Sequence, residues 1–130
     1  MKALSVQQPW AWAIVAGLKR IENRSRPTSY RGPLLIHAGL NRRQLVPKLP
    51  DGTDVPAGLD FGAVIGRVEL VDCVPYDQVA GDAFAIPGHW CWILANPVAL
   101  EPVPWKGQLG FFEVPDPTWV PEPGSRPNPS

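Results

Sequence analysis

Residues 62–74 read "GAVIGRVELVDCV", and this stretch decides the fold. Val64, Gly66, Val68, Leu70 and Asp72 fall on one side of an extended chain, with Ile65, Arg67, Glu69, Val71 and Cys73 on the other. A period of two over so many residues, rich in β-branched side chains, marks a pleated strand. No other segment of the chain states its conformation as strongly.

Working outward, "PDGTDVPAGLDF" (50–61) is a turn-rich loop, and "YDQVAGDAFAIPG" (76–88) is a second, with room for one helical turn. "HWCWILANPVALEP" (89–102) reads as a strand that breaks at Asn96-Pro97, and "LGFFEV" (109–114) as the last strand. Upstream, Leu34–Ala38 forms a strand whose start suits Pro33. "RIENR" (20–24) and "ALSV" (3–6) supply two more, and "LNRRQLVPKL" (40–49) a short helix ended by Pro47. "QQPWAWAIVAG" (7–17) predicts a helix of two to three turns, with Pro9 in its first turn and Gly17 at its C-cap. Trp10 and Trp12 point in different directions on such a helix, so one of them lies near the surface or lines a cleft.

At 130 residues, with 17 prolines and 12 glycines, the chain suits one domain of short strands and irregular loops. No βαβ alternation is visible. The fold class is mainly β, or α+β: a small, mostly antiparallel barrel with one or two flanking short helices. The domain is expected over 1–114, and 115–130 is a proline-rich C-terminal tail too poor in free N–H groups to pair into a sheet.

Two cysteines, Cys73 and Cys91, make no disulfide framework and have no zinc-site spacing, so each reads as a small buried hydrophobe. The N-terminus lacks the apolar core of a secretory leader, and no apolar run is long enough to span a membrane. The expectation is a cytoplasmic, soluble monomer without metal or cofactor.

The formal net charge of zero hides a division. Residues 1–48 carry nine Lys and Arg against one acid, Glu22, for +8; residues 49–130 carry three against eleven, for −8. Either the halves neutralise each other on folding, or the basic half meets an anionic partner. Lys19 and Glu22, three apart, followed by Arg24, sit in the middle of that basic run. An exposed pair of this kind contributes at most about 1 kcal/mol. A lysine crowded by cations, however, releases its proton more easily and suits catalysis, with Glu22 as proton carrier or as an acceptor for a base edge. Arg31 suits phosphate or a stacked base, or else a salt bridge to the acidic half. His37 ends an apolar strand, as a hydrogen-bonded core residue or a ligand contact. Trp90 and Trp92 share a strand face, as core or as a stacking platform.

Four blocks, "SVQQPWAWAIVAGLKRIENRS", "YRGPLLIHAG", "GAVIGRVELVDCV" and "LANPVALEPVPWKGQLGFFEV", together resemble the ASCH domain of the PUA-like superfamily over residues 3–114. They are most similar to its small stand-alone members, of the endothelial-overexpressed, lipopolysaccharide-associated factor type. The resemblance implies a PUA-like β-barrel and a cleft around a G-x-K-x-x-E-x-R motif, here Gly17, Lys19, Glu22 and Arg24. RNA or a modified nucleoside is the ligand it implies. Trp10, Trp12, Lys19, Arg24, Arg31 and His37 are then the candidate ligand-binding residues.

Catalysis is the alternative. Some members remove the acetyl group of N4-acetylcytidine with a Lys, a Thr three residues on and a downstream Glu, and others are described as ribonucleases. Here Lys19 matches, the threonine position is Glu22, and Glu69 is the candidate downstream carboxylate. The catalytic set would be Lys19, Glu22 and Glu69. Lacking the threonine nucleophile, the chain reads first as an RNA- or nucleotide-binding protein, with an RNA or nucleoside hydrolase as the alternative. A protein-binding adaptor using the tail is a third class.

Overall fold

Strand β4 (Ala63–Pro75) takes up the "GAVIGRVELVDCV" stretch and lies inside a six-stranded sheet of order β2-β5-β4-β3-β1-β6. The computed structural model describes residues 1–115. Its other elements are β1 (Lys2–Val6), α1 (Trp10–Val15), β2 (Ile21–Arg24), β3 (Gly32–Ala38), β5 (Trp90–Pro104) and β6 (Phe111–Glu113), with a 3-10 turn at Tyr76–Gln78. All neighbours pair antiparallel except β1 and β3, which run parallel. That parallel pair needs a crossover, which α1 and β2 supply. The sheet curls into a half-barrel with one short helix against it. The tail beyond Pro115 lies outside the described residues.

Alternation sorts the side chains into two cores. Leu4, Val6, Leu34 and Ile36 pack with Ala11 and Ile14 of α1 on one face; Ala3, Leu35, Val64 and Phe112 pack together on the other. A third cluster of Ala13, Leu49 and Phe84 covers the outer side of α1 with loop residues, so the helix lies between sheet and loops. At its end, Leu18 N–H donates to Ala13 O and Gly17 N–H to Ile14 O, with Gly17 at φ +80°. This is the Schellman closure, which needs a left-handed residue at that point. It releases the chain directly into Lys19 and β2.

Four expectations are corrected. The helix is six residues, less than two turns, with Pro9 at its N-cap position rather than inside it. Residues 40–49 form no helix: Leu45 N–H donates to Arg42 O in a single turn, and Lys48 bridges to Asp54 instead. Strand β5 does not end at Asn96-Pro97. Asn96 takes φ +53°, the register with β4 slips there, and pairing resumes. Bulges of this kind also break the strict alternation read along β4. Val64 packs on one face with Leu35, while Ile65, Val68 and Leu70 pack with the α1 core on the other.

Candidate ligand-binding cleft

The Schellman end of α1 aims Lys19 inward, where the side chain is only 5% exposed. Its Nζ donates to Ile21 O and, at 3.1 Å, to Glu22 Oε1. Arg24, two residues along the same face of β2, donates to Glu22 Oε2 at 2.9 Å and to Ser5 O at 2.9 Å. Glu22 is therefore a carboxylate with a cation on each oxygen, and the trio carries a net +1. An ammonium has three N–H groups, and two of Lys19's are assigned within the protein. The guanidinium also stands 5.9 Å over the Trp92 ring.

This trio forms one wall of a cavity of about 530 Å³, within the size range of small-ligand sites. Gln7 just before α1, Trp10 on it and Gln44 in the loop after β3 line it too, as do Phe84, Ile86 and Leu109. Trp10 Nε1 donates to Gln44 Oε1 at 2.5 Å, which fixes the indole as a wall. Asn23 sits between Glu22 and Arg24 in sequence and has a different task. Its amide donates to Phe84 O and its carbonyl oxygen accepts from Ile86 N–H, tying the 84–86 loop to β2. Beneath it, burial pushes the Cys91 thiol pKa up, and the nearby Asp82 charge adds to that. Outside the lining, next to Pro50, the Asp51 carboxylate accepts from Thr53 N–H and its pKa is held down by that bond.

Of the expected site residues, Lys19, Glu22, Arg24 and Trp10 are brought together in the cleft. Four others are not. Trp12 packs in the cluster outside α1. Arg31 is turned to Thr28 O, Tyr30 O and, at 3.7 Å, Asp72, the salt bridge to the acidic half. His37 is 1% exposed, holding Ser5 Oγ at 2.8 Å and Trp105 O at 2.7 Å. It stands edge-on to Phe112, on the sheet face away from α1. Glu69, on β4 opposite Pro33 and Ala95, does not line the cleft. Trp92 is core, stacked on Phe111. Sequence reasoning passed over Gln7, Gln44, Phe84 and Ile86. Gln7 and Gln44 each adjoin a motif already singled out, but Phe84 and Ile86 enter only through the tertiary tie at Asn23.

Among the described residues no helix is long and apolar enough to cross a membrane, and no three metal-ligating side chains cluster.

The ASCH domain family model matches residues 4–104. Activating signal cointegrator 1 of Homo sapiens is 39% identical over 85 residues, and that of Mus musculus 38% over 85. Each match takes in 58% of this chain but only 15% of the relative. The crystal structure of ASCH from Zymomonas mobilis superposes with a TM-score of 0.60 at 17% identity, covering 88% of this chain and 87% of that one. A serine-to-alanine mutant of that Zymomonas mobilis protein gives 0.60 at 15% identity, covering 88% of each chain. At such identities the likeness is one of fold. With the family model spanning most of the sheet and the Lys19–Glu22–Arg24 wall, the chain belongs to the ASCH domain family.

Proposed function

We propose that the cleft binds single-stranded RNA, seating one base inside and its phosphates on the basic rim. The observation that carries this is the convergence of Lys19, Arg24 and Trp10 on one cavity whose single carboxylate is already neutralised. An ASCH domain has a PUA-like fold, a type associated with RNA binding, which agrees. Arg24 and the third N–H of Lys19 face phosphate or a base acceptor. Trp10 offers a ring face, and a stacked base contributes roughly 1–3 kcal/mol. Titration of a short single-stranded RNA at several salt concentrations tests it. The expected slope of log K against log salt is about −0.7 for each phosphate held. No binding, or binding indifferent to salt, overturns it.

A second reading, a hydrolase on RNA or on N4-acetylcytidine, draws on the buried Lys19–Glu22 pair in the cleft wall. Both Glu22 oxygens accept from cations, which ties the carboxylate into the wall and favours binding over turnover. A chromatographic time course with N4-acetylcytidine is expected to give no cytidine. Product formed by the wild type and not by Lys19→Met would put the hydrolase first.

A further inference from the structure

The start of α1 holds two adjacent glutamines with opposite fates. Gln8 is 1% exposed and fully engaged: its Nε2 donates to Asp60 O and its Oε1 accepts from Trp12 N–H. Gln7 lines the cleft, and its Oε1 is buried with no hydrogen-bond partner among the described residues. Its backbone is committed, since Gln7 O accepts from Ala11 N–H in the first turn of the helix. The side chain is therefore carried on a fixed base.

Other polar side chains of the wall have partners, apart from the exposed Gln108. Asn23 is occupied at both ends, Gln44 Oε1 by the Trp10 indole, Ser5 Oγ by His37, and Glu22 by two cations. A buried acceptor left without a donor is a cost to the free protein. When the Gln7 side chain turns its covered Oε1 into the cleft, a ligand N–H removes the cost, as in sites that discriminate by leaving buried polar groups unpaired with the wrong ligand.

We propose that Gln7 is the base-reading residue of the cleft, accepting a hydrogen bond from the exocyclic amino group of a cytosine or adenine. Uracil presents a carbonyl where those bases present the amino group, so it leaves the acceptor unpaired unless the amide turns over to offer Nε2. This assignment rests on the RNA reading above. The cations hold the phosphates whatever the base, and Gln7 adds the preference among bases.

The test is a binding titration of fluorescently labelled homopolymers of cytidylate, adenylate and uridylate, equal in length and hence in charge, with wild type and Gln7→Met. Wild type is expected to favour the cytidylate or the adenylate over uridylate by about five- to tenfold, the scale of one neutral hydrogen bond. The two amino-bearing arms tell which base is seated. In Gln7→Met the preference collapses below about twofold on the same scale while the salt slope persists. The free variant melts at a higher temperature, because the unpaired group is gone. Salt-dependent binding with no preference in wild type, a preference for uridylate, or a preference that survives Gln7→Met overturns the assignment alone. Failure of wild type to bind any of the three overturns the RNA reading and this assignment with it. A lower melting temperature in Gln7→Met marks a structural role instead and also overturns it.

Discussion

Glu22 is the residue on which the cleft wall depends, because it is a buried carboxylate between two cations at 3.1 and 2.9 Å. Removing one partner of a buried pair leaves the other charge uncompensated, at about 3–5 kcal/mol. Glu22→Gln leaves two cations uncompensated, whereas Lys19→Met leaves Glu22 still held by Arg24. Urea unfolding is therefore expected to show Glu22→Gln losing about 3 kcal/mol and Lys19→Met distinctly less; the reverse order would mean that Arg24 does not support the carboxylate. The cysteines give a second expectation at this scale. Cys91 is fully buried with its thiol pKa raised by burial from 9.0, and Cys73 is half-buried. Iodoacetamide on the native protein at pH near 8 should add one label, at Cys73, read by mass spectrometry, with the second appearing only in denaturant. A raised thiol pKa favours the neutral form. Its contribution to stability is intact below the ordinary value of 9.0 and is lost only as pH rises above it.

Among the elements, α1 decides the geometry of the site, since its end delivers Lys19 and its start delivers Gln7 and Trp10. The helix is too short to stand alone, and packing against the sheet holds it. Gly66 lets it come close: a Cβ there would stand 2.5 Å from Val15 and 2.8 Å from Val98 O. The second of these is backbone and cannot swing away. Gly66→Ala is expected to lower stability by about 1–3 kcal/mol, measured by thermal melting, and to weaken ligand binding through the displaced helix. A neutral result would mean that α1 shifts freely on β4. Glycine here also fits the bulged stretch of β4, where Val64 and Ile65 change places relative to a regular strand. Period-two reading foresaw the strand and missed the bulges, because their register is set by the partner strand and Gly66 is the one local sign of them.

For the whole molecule, folding uses only part of the charge division between the halves. Lys2, Arg31 and Lys48 pair with Glu113, Asp72 and Asp54 of the acidic half. Arg42 and Arg43 form no ion pair among the described residues, and Gln44 beside them lines the cleft. Arg43→Ala is accordingly expected to reduce the magnitude of the salt slope by about 0.7, one phosphate's worth. Arg31→Ala should leave the slope unchanged, since its guanidinium is occupied by backbone carbonyls and Asp72. Equal effects from the two variants would show that the basic half acts as a diffuse field with no defined rim.

By itself the sequence determined the strands, the helix that Gly17 closes, and the gathering of Lys19, Glu22 and Arg24, because each follows from local periodicity or from spacing along one segment. Those signals need no knowledge of what lies across the sheet. Only the tertiary structure decided that Arg31, His37, Trp12 and Glu69 stand apart from the cleft. Each of these side chains was claimed by a partner distant in sequence or by the opposite face of the sheet, as His37 was by Ser5 and Trp105. Gln7 and Gln8 are identical neighbours that differ in what reaches them: Gln8 Oε1 takes the Trp12 N–H and its Nε2 the distant Asp60 carbonyl, whereas no donor among the described residues reaches Gln7 Oε1. Hydrogen-bond satisfaction is a property of the assembled fold, and no residue carries it alone.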